Sequence, residues 1–307
     1  MAVRNLIIGC DGTWNDTGSS PTNVVKLLRA CSNKNQVTQY EEGVGTAHLE
    51  ALPGGTYGAN LDRQILGGYR FLRKRFQDTD WSPADNKVFI FGFSRGAYAA
   101  RRLAGLVSFA GIPKKASDVD LGWQLFLQQD VDSLTNLKEQ GRFFDHPIEV
   151  LGVWDTVKST NDADLHDRTL PKCVVAGYHA MAIDEKRKFF PVLKWNNEGR
   201  TRQVWFAGVH SDVGGGYMET GLSDISLQWM ADSAYKHGLA LKASEMQKLK
   251  KDPNGELHDS YRGIWKPLGR KVRVIAETAL VHRSVKTRMQ SGYAPTNLPD
   301  SPRFVTR

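Results

Sequence analysis

Three residues of this 307-residue chain have types and positions suited to acyl transfer: Ser94, Asp155 and His210. A hydroxyl is a poor nucleophile near neutral pH. It becomes effective when an imidazole accepts its proton and a carboxylate fixes the imidazole's tautomer and balances its charge. Ser94 sits within Gly92-Phe93-Ser94-Arg95-Gly96. Asp155 closes the oily run "IEVLGVWD", and His210 follows the oily run "QVWFAGV". About 60 positions separate each member from the next, so only a shared edge of a sheet could unite them.

The elements around each residue supply such an edge. Val88 to Phe91 are apolar without alternation, as in a strand buried on both faces of a parallel sheet. Ala97, Ala99, Ala100, Leu103, Ala104 and Leu106 then favour helix. A direct strand-to-helix corner crowds the backbone, which calls for small residues two positions before and after it. The corner residue is strained, and it lies at a helix N-terminus that favours negative charge. This is the nucleophile elbow of α/β-hydrolases, whose triads also run serine, acid, histidine along the chain.

Each assignment has a rival. Asp155 could cap the turn that follows it, with Asp212 as the reserve carboxylate. His210 competes with His166, His179 and His282, and is favoured because it leads from a strand into "SDVGGGY", whose three glycines permit close substrate approach. Acyl transfer also needs N–H donors for the developing oxyanion. The N–H of Arg95 is one; Gly12 or Thr13, in the turn after the first strand, supplies the second.

Asp11-Gly12-Thr13 also resembles the start of haloacid-dehalogenase phosphatases, although Thr13 stands where those enzymes place a second aspartate. Asp11, Asp155, His210 and Asp212 would then form a metal-dependent phosphohydrolase. A third class is a binding protein that keeps the fold without the chemistry. The serine-hydrolase reading needs no metal and no cofactor.

Along the chain, Asn5–Cys10 reads as the first strand, and Thr22 or Asn23 caps a short helix. A strand near 36–40 and a glycine-rich loop at 43–58 follow. The spacing of Leu61, Ile65, Tyr69 and Leu72 predicts a helix over 60–77. Strands are expected at 148–154 and 203–208, and helices at 175–185 and 226–236. Strands alternating with helices predict a single α/β domain over residues 1–307, with a mostly parallel central sheet and helices on both faces. Residues 112–145 are expected to form a helical excursion or lid, and 242–307 a polar C-terminal segment that wraps the core.

Composition narrows the class. With 40% hydrophobic and 24% charged residues and no long apolar run, neither a membrane span nor a signal peptide is expected. Three scattered cysteines make no disulfide or metal pattern and predict a reducing, cytoplasmic setting, with non-classical secretion as the route for an effector. The net charge of +8 is spread widely, with small clusters at 70–75, 101–102 and 248–251. It suits transient contact with a membrane surface, and no basic-aromatic module for nucleic acid is present. The expected partner is a lipid or small ester substrate.

Taken in order, "CDGTWND", "YEEGVGT", "GFSRGAYAAR", "LGVWDTV", "YHAMAIDEKRKFFPVLKW" and "FAGVHSDVGGGY" resemble successive motifs of an uncharacterised α/β-hydrolase family. That family includes type VI secretion class 1 lipase effectors. The resemblance runs from about residue 5 to 230, with "VHRSV" and "YAPTNLP" as echoes beyond. It implies a triad on Ser94, Asp155 and His210, and esterase activity on glycerophospholipids for the effector members. Those effectors generally carry large additional regions, from which this chain departs.

Overall fold

The structure is a computed structural model that describes residues 3–12, 20–32, 34–43, 57–157, 168–196 and 199–306. Thr13, His166 and most of the glycine-rich loop lie outside the described residues. In chain order the elements are β1 (Arg4–Cys10), α1 (Asn23–Ala30), β2 (Gln36–Glu41), α2 (Tyr57–Phe76), β3 (Asn86–Phe93), α3 (Ser94–Ala110) and β4 (Ile112–Pro113). There follow α4 (Ser117–Gln128), α5 (Val131–Glu139), β5 (Phe143–Phe144), β6 (Ile148–Trp154), β7 (Val174–Ala182), β8 (Thr201–Phe206) and α6 (His210–Gly214). The last are α7 (Gly221–Tyr235), α8 (Ala243–Met246), β9 (Leu280–His282), α9 (Arg283–Met289) and β10 (Arg303–Val305).

Eight strands form one sheet in the order β10-β9-β8-β7-β6-β3-β1-β2. Every neighbouring pair is parallel. Strand parity divides β3 between two cores. Val88 and Ile90 face α2 and α3, while Phe89, Phe91 and Phe93 face α1 and α7. All five are at most 1% exposed, so the unbroken apolar run reflects burial on both faces. Thr22 caps α1, its hydroxyl accepting the Val25 N–H. Among the described residues no helix is long and apolar enough to cross a membrane.

The chain order reverses between β1 and β3: β2 lies beyond β1 on one side, and the later strands add on the other. In open parallel sheets ligands bind beyond the carboxyl ends of the strands at such a point. Ser94 follows β3 there, flanked by the ends of β1 and β6.

Three expectations are corrected. Residues 175–185, expected as helix, belong largely to β7, where Val174 and Val175 favour extended backbone and the strand pairs with both β6 and β8. Residues 112–145 do not sit as a lid. They leave the far end of α3 and re-enter at the start of β6, so they are rooted at the sheet edge opposite Ser94. There α4 packs on α3, with Phe126 against Gly105 and beneath the Arg102 guanidinium. The C-terminal segment does more than wrap, since β9 and β10 extend the central sheet and Val281 is fully buried.

Candidate active site

Ser94 is the first residue of α3 and has φ of +59°, in the left-handed region that is costly for a residue with a Cβ. The glycines around it make that corner possible. A Cβ on Gly92 would lie 2.5 Å from the Gly96 carbonyl oxygen, and one on Gly96 would lie 2.5 Å from the Asp11 oxygen. Backbone therefore passes backbone on both sides of the serine. We expect Gly96→Ala to force β1 and α3 apart and lower stability by about 1–3 kcal/mol. Chemical denaturation would measure this, and an unchanged midpoint would contradict it.

Asp155 follows β6, is fully buried and has φ of +40°. Its Oδ2 lies 2.6 Å from His210 Nδ1, and its Oδ1 accepts the Ala182 N–H at 2.9 Å. Arg273 grips both oxygens, at 2.6 and 2.9 Å, and the same guanidinium donates to the Ala182 and Phe190 carbonyls. Burial by itself raises a carboxyl's pKa, but the Arg273 charge and the His210 hydrogen bond outweigh it and hold Asp155 well below the usual carboxylate range. An ionised carboxylate only accepts, so the His210 proton resides on Nδ1 and Nε2 carries the lone pair.

His210 opens α6, directly beyond the end of β8. Burial pulls its pKa below the ordinary value, against the opposing pull of Asp155, which favours the neutral imidazole a base requires. The ring is wedged between Phe93, 4.6 Å away, and Phe190, 5.1 Å away edge-on. The run of three glycines serves this packing, because any side chain on Gly214 would overlap the Phe93 ring. Ser94 is 8% exposed, and its backbone carbonyl accepts the Val157 N–H just beyond Asp155. No hydrogen bond of 3.5 Å or less joins the Ser94 hydroxyl to His210 among the described residues.

The remaining candidates fall elsewhere. Arg95 follows Ser94 in the first turn of α3. The Gly12 N–H donates to Asp11 Oδ1. Asp11 Oδ2 accepts from Thr22 and Tyr40, so this residue ties the end of β1 to α1 and β2. Asp212 takes the Val209 N–H and the ring of His258 at 2.6 Å, which sets it apart from His210. Asp11, Asp155, His210 and Asp212 do not converge on one point, and this corrects the metal-site alternative. Among the described residues, Glu219, Glu256 and His258 are the one group of three or more His, Cys, Asp or Glu whose ligand atoms all lie within 4.8 Å of one another. His179 is fully buried, accepts the Thr156 N–H and is pulled down to about 3 by burial and the nearby Arg101 charge. His282 caps α9.

Sequence reasoning missed Arg273, Glu185 and Phe190. Arg273 offered one local sign, a lone cation inside the apolar run "VRVI". Glu185 is 1% exposed, and it accepts from Arg187, from the Ser260 hydroxyl and from the His210 N–H. It thereby anchors the start of α6.

Residues 4–233 match the family described as type VI secretion system phospholipase effector Tle1-like, catalytic domain. A similar curated protein is an uncharacterised one of Saccharomyces cerevisiae, 30% identical over a stretch covering 62% of this chain and 32% of that protein. Among solved structures, a Tle1 effector bound to the VgrG spike superposes with a TM-score of 0.50 at 15% identity, covering 82% of this chain and 77% of that one. An uncharacterised Pseudomonas aeruginosa protein gives 0.47 at 20% identity, over 81% of this chain and 47% of that one. The chain thus spans about a third of the yeast relative and about half of the Pseudomonas protein. Arg273 lies beyond the matched region.

Proposed function

Since the chain belongs to the Tle1-like phospholipase effector family, a family of esterase-type hydrolases, we propose that it cleaves carboxylic esters of glycerophospholipids through Ser94, His210 and Asp155. The observation that carries this reading is the strained Ser94 at the end of β3, on the same sheet edge as a buried, Arg273-clamped Asp155–His210 pair beyond the ends of β6 and β8.

Ser94 attacks the acyl carbonyl as His210 Nε2 takes its proton. Asp155 holds the tautomer and balances the imidazolium as it forms. The protonated imidazole then returns the proton to the departing alkoxide, and the acyl group stays on Ser94. Water, deprotonated by the same nitrogen, attacks the acyl-enzyme; the Ser94 Oγ–acyl bond breaks, His210 returns the proton to Oγ, and the acid leaves. In this reading the Arg95 N–H, in the first turn of α3, is the first oxyanion donor. The second is Gly12 or Thr13; the Gly12 N–H, which donates to Asp11 Oδ1, would exchange that partner for the oxyanion. The reading requires Ser94 Oγ to come within hydrogen-bond reach of His210 Nε2 when substrate binds, and catalytic contacts commonly tighten only at that stage.

A fluorophosphonate probe should label wild-type protein at Ser94 and leave Ser94→Ala unlabelled. A panel of phospholipids and simple esters, run on both proteins, then identifies the substrate. Labelling that persists in Ser94→Ala, or equal turnover by the two, would remove the serine from the mechanism.

A further inference from the structure

Beside the candidate site, on the flank formed by β7, β8 and β9, lies a cavity of about 760 Å³. Trp195, Met181 and Trp205 contribute apolar lining at its base. Arg168, Lys188, Lys194 and Lys271 line it as well, and none of its lining residues is acidic. None of these four cations has an acidic partner among the described residues, and all four are exposed. Like charges gathered in this way repel one another, and backbone pairing holds the segments that carry Lys188 and Lys271 side by side. The Lys188 N–H donates to Gly269 and the Lys271 N–H to Lys186, an antiparallel contact around the Arg187–Arg270 bridge.

The rim carries a second anomaly. Val274 is 84% exposed and Val272 38%, both within the lining and next to Lys271. Isolated exposed valines are ordinary, but valines beside exposed lysines around an apolar-based cavity match the two forces of a lipid interface. Apolar groups enter the acyl boundary, and cations meet phosphates. The cavity also shares Phe190 and Arg273 with the candidate site. Phe190 packs on His210, and Arg273 grips Asp155.

We infer that this flank docks the protein onto an anionic phospholipid surface, with lipid phosphates at Lys188, Lys194, Lys271 and Arg168 and with Val272 and Val274 entering the acyl boundary. The inference rests on the esterase reading only for the choice of lipid as the anion. Docking there holds the catalytic edge beside the bilayer from which the ester would be drawn.

The test is vesicle sedimentation with Ser94→Ala protein, so that turnover does not enter. Vesicles of phosphatidylcholine alone are compared with vesicles containing 30% phosphatidylglycerol. Binding should require the anionic lipid and weaken with added salt. A cation near such a surface is worth about 1 kcal/mol, or roughly fivefold in affinity, so a Lys188→Gln, Lys194→Gln, Lys271→Gln triple variant should bind on the order of 100-fold more weakly. Val274→Ser should weaken it further, and thermal melts verify that the variants remain folded. Equal binding by the triple variant, or equal binding to both vesicle types, overturns the proposal. So does binding that soluble polyglutamate abolishes while Val274→Ser leaves it intact, since that would point to an acidic protein. If vesicles bind as expected but wild type hydrolyses no ester, the function fails and the docking stands; the reverse result separates them the other way.

Discussion

Ser94→Ala and His210→Ala are each expected to lower kcat by about 10⁴-fold or more, while leaving the fold intact. In the proposed mechanism the serine supplies the attacking atom and the imidazole moves every proton in both steps, so neither loss could be offset by its partner. Combining the two substitutions should cost little more than either alone, because the pair acts as a unit. Asp155→Asn should lose less, roughly 10²–10⁴-fold, by releasing the tautomer. Steady-state turnover on a short soluble ester is the measurement. A normal rate in either of the first two variants ends the triad assignment, and a normal rate in Asp155→Asn would leave His210 without its acid.

Arg273→Gln should produce the second large effect, visible in both stability and pH dependence. Removing one member of a buried ion pair leaves an uncompensated charge and costs about 3–5 kcal/mol. In the wild type the Asp155 carboxyl titrates below its unfolded value of about 3.9. It therefore contributes stability that is fully present above that pH and is lost as pH falls through the folded value. Without the guanidinium, burial instead raises the folded value and penalises the ionised form. The stability gap between wild type and variant should be widest near neutrality and narrow as pH drops below about 4. Activity should follow the same logic. Loss of a nearby cation raises the pKa of the Asp155–His210 pair, so the acid limb of kcat/KM should move to higher pH in the variant. Arg273→Lys should restore part of the stability but not the two-pronged grip. A purely structural arginine would lower Tm without moving the pH profile, and that outcome would reduce Arg273 to packing.

The legible parts of this protein are those whose information is local. Gly92, Ser94 and Gly96 announce their corner because the crowding they relieve lies within four residues and the adjoining end of β1. Val88 to Phe91 announce a strand buried on both faces because parity leaves them no polar side. β7 is hidden for the converse reason: "VVAGYHAMA" mixes small residues with β-branched ones, and only its two neighbouring strands decide that it is extended. Residues 112–145 were recognisable as an excursion in the helical pattern, but which edge of the sheet they occupy depends on where α3 ends.

The candidate site divides along the same line. The sequence by itself determined the elbow, the order of serine, acid and histidine, and the strand-end positions that could bring them together, because each is written in a short pattern of residue types. Only the tertiary structure joined Asp155 to His210, supplied Arg273 from 118 positions away and turned Asp212 toward His258. The physical reason is that a charge buried on folding takes whichever partner the packing delivers, and nothing in its own neighbourhood along the chain records which one that is.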